Sequence, residues 1–487
     1  MRSEKLYEAL TQVDGALIDE AATPPEKQPK KAPRLRWLGA VAAVLALVLV
    51  LTAVLRPGDP GGLTACALET AAYPDAAPYP DLSGLMGGET YDREALEEAY
   101  ELWAKSQQLR SEARKNYSPE DLRAYLTAVL PAFLGGREGE NVSCSPVNLY
   151  LALAMLAETT GGESRDQILS LLGAADIDSL RTLAANLFLA NYGNDGATKS
   201  LLAGALWLRD DMDYKADTVK RLAETYYASS YQGTMGSEVY NQLLRDWLNA
   251  QTGGHLADQI GSLGFDGDTV LAITTTVDFS AQWNEEFQVD LTDDGVFHAR
   301  SGDVSCRMMH REYTGAYCWG EKVGATGLNF KNGGSMRFLL PDEGVTPEAL
   351  LEDPEALSFL LPAKYGSWSN CKHLRINLTL PKFDIASQLS LETTLRDLGL
   401  TDVTNPDAAD FSPLTGSKGV YLSEVKHGTR VAVDEKGVTA SAYIMMIGAG
   451  AAMPPDEQID FTLDRPFLFA IYGPDNLPLF VGIVNQP

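Results

Sequence analysis

Basic charge is scarce in this sequence: 39 Lys and Arg stand against 66 Asp and Glu, a formal net charge of −27 over 487 residues. Phosphate backbones are bound through a basic footprint, so nucleic acid is not an expected partner. The C-terminal region also lacks a basic cluster suited to a heparin-like polyanion. Histidine is equally sparse. His255, His298, His310, His373 and His427 are scattered, none in an HExxH array, which argues against a metal enzyme. No GxGxxG, P-loop or GxSxG motif is present. A dispersed catalytic triad would leave no such spacing, but nothing suggests one. The cysteines Cys66, Cys144, Cys306, Cys318 and Cys371 show no metal-ligand spacing. Their wide spacing predicts no disulfide framework, and the odd count leaves at least one thiol free or shared between chains. No cofactor and no metal are expected.

Apolar residues are plentiful. They make up 45% of the chain, enough for a large core or more than one domain. Residues 1–36 are polar and close in Lys27, Lys30, Lys31, Arg34 and Arg36. Trp37 to Leu55 is then an apolar run that as a helix spans roughly 28 Å, enough for a bilayer core. The basic flank predicts a single-pass transmembrane helix over 37–55, with 1–36 cytoplasmic and everything after Arg56 outside. A buried core helix is the bland alternative. A cleaved signal peptide normally carries its basic region near the first residue. Leu63-Thr64-Ala65-Cys66 looks like a lipobox, but Arg56-Pro57-Gly58-Asp59-Pro60 separates it from the apolar run.

Residues 56–90 are rich in Pro, Gly, Ala and Tyr and read as a linker. Tyr91 to Lys115 reads as a charged helix with a partial apolar face at Leu96, Tyr100, Leu102, Trp103 and Leu109. Together 56–117 forms an extracellular linker segment, and the main domain spans 118–487. That domain opens on the helix-start signal Ser118-Pro119-Glu120-Asp121. Periodicity predicts helices around 147–172, 181–192 and 216–228. Alternation predicts strands over 374–380 and 421–433. The result is a mixed α and β domain.

One C-terminal stretch stands apart. Val433-Asp434-Glu435-Lys436-Gly437 leads into Val438 to Met453, a run with neither charge nor proline. Such a run has high strand propensity, so a soluble domain must bury it or hold it out for a purpose. The Glu435-x-Gly437 hinge and the small residues after it resemble the start of a serpin reactive-centre loop. Phe461 to Phe469 and Leu479-Phe480-Val481-Gly482 resemble the C-terminal signature of that family. Further segments occur in family order: Asn141 to Asn148, Gly161 to Ile168, Asp246 to Gly254, Leu271 to Phe287, Leu340 to Gly344, Leu380 to Phe383 and Asp410-Phe411-Ser412. The resemblance covers roughly residues 118–487.

It implies an α+β serpin fold, with a large, mostly antiparallel central sheet, further sheets, about eight to nine helices and an exposed loop, preceded here by the transmembrane helix. It also implies a loop hinge at Glu435, Gly437, Val438, Thr439, Ala440, Ser441 and Ala442, and a cut bond at Ala451-Ala452. Side-chain alternation would turn Val438, Ala440, Ala442 and Ile444 inward on insertion, and Thr439, Ser441 and Tyr443 outward. About sixteen residues from hinge to bond can carry an attached protease on the order of 50 Å. Ser145, Asn148, Thr275, Trp283 and His427 match the family's sheet-opening positions. Thr275 stands where the family usually has Asn, and Asp278-Phe279-Ser280-Ala281 lacks its usual Lys-Gly.

The expected function is suicide-substrate inhibition of serine proteases, elastase-like or subtilisin-like because Ala451 is small, with a cysteine protease as a further possible target. Trypsin-like proteases need a basic residue there. The chain itself is not expected to be an enzyme. A non-inhibitory serpin acting as a carrier or binding module is the alternative, and a membrane-anchored hydrolase is a third class. The expected location is the cell membrane of a Gram-positive bacterium, as a monomer with the inhibitory domain outside.

Overall fold

The computed structural model describes residues 62–80, 93–254, 260–261, 263–331, 333–362, 368–438, 455 and 457–487. Among the described residues no helix is long and apolar enough to cross a membrane. The apolar run at 37–55 and the loop residues Thr439 to Pro454 lie outside them.

The described chain opens with helix α1 (Leu63–Cys66), strand β1 (Ala67–Glu69) and helix α2 (Arg93–Lys115). A 3-10 turn over Pro119–Leu122 comes next. Ser118 and Asp121 cap it reciprocally, as the sequence signal predicts. It runs into α3 (Arg123–Leu134), which keeps Pro131 near its end, and then β2 (Val142–Cys144). Ser145 accepts from the Asn148 N–H and Pro146 takes the first turn, starting α4 (Pro146–Thr159). Every residue of α4 is buried, so this helix runs through the centre of the domain.

Beyond it lie α5 (Gly162–Leu172), α6 (Ile177–Asn191), β3 (Gly193–Asn194), β4 (Thr198–Arg209), α7 (Ala216–Thr225), β5 (Ala228–Gly233) and α8 (Glu238–Gln251). The long strand β6 (Leu271–Gln282) precedes the hairpin β7 (Thr292–Ala299) and β8 (Gly302–Trp319). Then come β9 (Val323–Asn329), β10 (Ser335–Pro341), α9 (Pro347–Glu352), α10 (Pro354–Ser358), β11 (Cys371–Pro381), β12 (Phe383–Ser390) and α11 (Glu392–Asp397). The chain closes with β13 (Glu424–Val433), β14 (Gly437–Val438), β15 (Gln458–Thr462), β16 (Phe467–Tyr472) and β17 (Pro478–Val484).

Two sheets carry the architecture. The first is eight-stranded in the order β1-β5-β4-β6-β14-β13-β12, with β3 paired to β4. The second is nine-stranded in the order β15-β11-β8-β9-β10-β16-β17-β2, with β7 paired to β8. Alternation along β4 splits the packing between its two faces. Leu202, Leu206 and Leu208 join the main core with α4. Ala203, Ala205 and Trp207 join a second cluster under α8.

Two expectations need correction. Cys318 and Cys371 form a disulfide, whereas Cys66, Cys144 and Cys306 are free. The two half-cystines are register partners on the antiparallel strands β8 and β11, with Cα atoms 4.1 Å apart. Their separation of 53 residues hides that adjacency in the sequence. Residues 62–80, within the stretch read as linker, also dock on the domain. β1 pairs with β5 as an added edge strand.

Candidate functional site: the hinge and the sheet gate

The central sheet is open in its middle. β6 and β13 run parallel but pair only at Glu424 with Ala272 and Val425 with Ile273. At the other end β14 lies between them, antiparallel to both. Gly437 pairs with Gln282, and Val438 pairs with Ala281 on one side and Val433 on the other. Between these ends a cavity of about 120 Å³ is lined by Thr274, Thr275 and Thr276 of β6 and by Lys426 and His427 of β13. Leu244 and Leu248 of α8 also line it, so that helix covers the gap.

The hinge is held by main-chain bonds and one tryptophan. Asp434 turns the chain: its N–H donates to the Gly437 carbonyl, and its carboxylate accepts from the Lys436 and Gly437 N–H groups. Trp283, fully buried, donates its backbone N–H to the Lys436 carbonyl and its indole N–H to the Asp434 carbonyl, both at 3.0 Å. Its ring stacks on Phe330 at 5.2 Å. The Glu435 carbonyl accepts from Phe287 N–H at 2.8 Å. The Glu435 carboxylate meets the Lys382 ammonium at 2.7 Å. Burial by itself would raise this carboxyl's pKa, but the Lys382 charge and hydrogen bond outweigh it and hold the group below its ordinary value.

Gly437 sits where no side chain fits. A Cβ there would lie 2.0 Å from the Ala281 carbonyl oxygen, a main-chain atom that cannot move aside. Val438 is 2% exposed, so its own side chain faces the core.

Of the implied sheet-opening residues, Ser145, Asn148 and His427 lie in one hydrogen-bonded cluster. Ser145 N–H donates to His427 Nε2 at 3.0 Å, leaving the proton on Nδ1, which has no partner among the described residues. Burial pushes the His427 pKa down to about 4, keeping the ring neutral. Asn148 is held through its backbone N–H on Ser145 Oγ, while its amide Nδ2 is buried without a partner among the described residues. Thr275 stands on β6, opposite Gly204 and lining the cavity. Sequence reading missed a second set. Ser143 and Thr429 hydroxyls bond at 2.7 Å, Thr429 Oγ1 donates to the Ser143 carbonyl, and Ser143 N–H donates to Ser387 Oγ. These residues join β2 to β12 and β13 beside His427. Ser387 and Thr429 occupy the same buried face as Ile385, Leu389 and Val431, and a lone hydroxyl in such an alternating strand gives no warning of a polar network.

A gapped central sheet with a glycine hinge entering it matches the family suggested by the sequence. The model of the family described as serpin (serine protease inhibitor) matches residues 129–487. The chain belongs to the serpin family. Plasminogen activator inhibitor 1 of Bos taurus is 28% identical over 396 residues, covering 77% of this chain and 95% of that protein. Leukocyte elastase inhibitor of Homo sapiens is 26% identical over 358 residues, covering 71% and 93%. Among solved structures, the thermophilic serpin Tengpin in its native state is similar with a TM-score of 0.66 and 25% identity, covering 76% of this chain and 94% of that one. Thyroxine-binding globulin shares the fold at a TM-score of 0.64 and 20% identity, covering 76% and 99%. The serpin's relatives support serine protease inhibition as its general activity.

Proposed function

We propose that this serpin is a suicide-substrate inhibitor whose loop, once cut after Ala451, inserts between β6 and β13 and traps the acyl-linked protease. The observation that carries the reading is β14, a two-residue strand already antiparallel between those strands. Continued without a bulge, its register against β6 sets Ile444 opposite Thr275, and its register against β13 sets Ile444 opposite His427. Both registers thus lead one loop residue to the gate. On such a continuation Val438, Ala440, Ala442 and Ile444 would share the core face, and none is charged. The small Ala451 suits elastase-like and subtilisin-like serine proteases, or a cysteine protease with a similar pocket.

The run at 37–55 supports a further reading, a single membrane anchor with the serpin domain outside a bacterial cell, acting as a monomer at the surface. The non-inhibitory carrier is the competing role. Incubating the full chain with elastase-like and subtilisin-like proteases separates the two, read by denaturing gels and mass spectrometry. A covalent adduct with the loop cut after Ala451 is expected. Clean cleavage without an adduct would make the loop a mere substrate and favour the carrier.

A further inference from the structure

The segment ahead of the family match wraps the edge of the central sheet. In α1, Leu63 is buried in the cluster that holds Leu243, Leu244 and Trp247 of α8. A Cβ on Gly62 would lie 2.8 Å from the Leu243 side chain, which shows how closely the segment approaches α8. β1 then pairs antiparallel with β5, Ala67 to Tyr231 and Glu69 to Ser230, covering a strand that would otherwise be the sheet's open edge. Past the edge, Ala71 N–H donates to Ser229 Oγ at 3.1 Å. The Tyr73 ring stacks on Phe188 of α6 and on Tyr192 just after that helix, with centroids 6.3 and 5.7 Å away. Tyr79 N–H bonds the Asp195 carbonyl, and its hydroxyl meets that of Tyr100 on α2 at 2.8 Å. The segment therefore runs from α8 on one face of the sheet, around β5, to α6 on the other.

That placement bears on the gate. α8 covers the gap between β6 and β13, so a strand entering the gap must pass beneath it. Leu63 and β1 join α8 to the outer half of the sheet, adding contacts that must break or stretch when α8 lifts. We propose that residues 62–80 are a strap that holds α8 down over the gap and sets the rate at which the central sheet opens. The proposal rests on the loop-insertion reading and adds to it a control outside the loop.

The test uses the full chain and four forms: unaltered, Leu63→Asp and Tyr73→Ser, which unhook opposite ends of the strap, and Tyr73→Phe, which keeps the stacked ring. Far-UV circular dichroism checks that each is folded. The probe is a synthetic peptide of the sequence Val438–Gly450, whose uptake into the gap is followed by native gel and by the rise in Tm. Uptake is expected about tenfold faster in Leu63→Asp and Tyr73→Ser than in the unaltered chain, with faster amide exchange along β5. Tyr73→Phe is expected to match the unaltered chain. The two readings are separated by cutting the loop of the unaltered chain and measuring Tm. If Tm rises on cleavage but peptide uptake is unchanged by unhooking, the strap proposal is overturned alone. If cleavage leaves Tm unchanged, loop insertion fails and the strap falls with it.

Discussion

Trp283 holds the Asp434 carbonyl with its indole N–H at 3.0 Å, so one side chain of β6's trailing loop fixes the turn from which the reactive loop departs. Trp283→Phe keeps a ring to stack on Phe330 but leaves that carbonyl without its donor. The loss is expected to cost about 1–2 kcal/mol. Urea unfolding measures it, and amide exchange at Lys436 to Val438 is expected to quicken. Unchanged exchange would show that the turn holds without the indole.

Gly437 tolerates no side chain, because its Cβ would meet the Ala281 carbonyl. Gly437→Ala is expected to push β14 out of the sheet, costing about 1–3 kcal/mol. The signature is loss of amide protection at Val438 and Ala281, while the remainder of the domain keeps its own.

Val438→Arg tests insertion itself. This position faces the core, and an unpaired buried guanidinium has no partner there. The loop is still expected to be cut, but without a denaturation-resistant adduct and without a rise in Tm. An adduct formed at the normal yield would remove insertion from the mechanism.

His427 makes the gate sensitive to acid. Its folded pKa, about 4, lies below the ordinary 6.5, so the folded state binds the proton more weakly than the unfolded chain. The neutral ring's contribution is fully present above pH 6.5 and is lost as pH falls from there toward 4. The loss is on the order of 3 kcal/mol. Urea unfolding of the unaltered protein and of His427→Asn at pH 7.5 and 5 isolates this contribution from that of the carboxylates. The substitution is expected to flatten the slope over that window.

The Cys318–Cys371 disulfide closes a separation of 53 residues. Cys318→Ser with Cys371→Ser is expected to cost about 2–4 kcal/mol, mainly by freeing the unfolded chain. Thermal unfolding with and without reductant checks it: reductant is expected to lower Tm in the unaltered protein and leave the double variant unmoved.

Legibility tracked the range of each interaction. Alternation over 374–380 and 421–433 reports half-buried strands, and the structure has them at Cys371–Pro381 and Glu424–Val433, the second starting three residues later than its alternation. The hinge positions Glu435 and Gly437 come from the family resemblance, and the structure adds at Gly437 a main-chain approach that only glycine meets. The disulfide was hidden because it depends on the register of β8 against β11, which no local pattern encodes. The docked segment was hidden for another reason. Ala67 to Glu69 is too short to show a period, and its partner β5 lies some 160 residues onward.

The foothold at Gly437 and Val438 changes the task of an inserting loop. Joining two strands from scratch is slow at its first contact, since chain entropy is lost before any ladder bond is gained. Here the first rung stands before any bond is cut, on both sides of the slot. Under the proposed mechanism, insertion would only propagate a formed nucleus, each added pair extending a ladder whose phase is already chosen. On the proposed acyl-enzyme trap, the slow first step of insertion would then already lie behind the loop when its contest with hydrolysis begins.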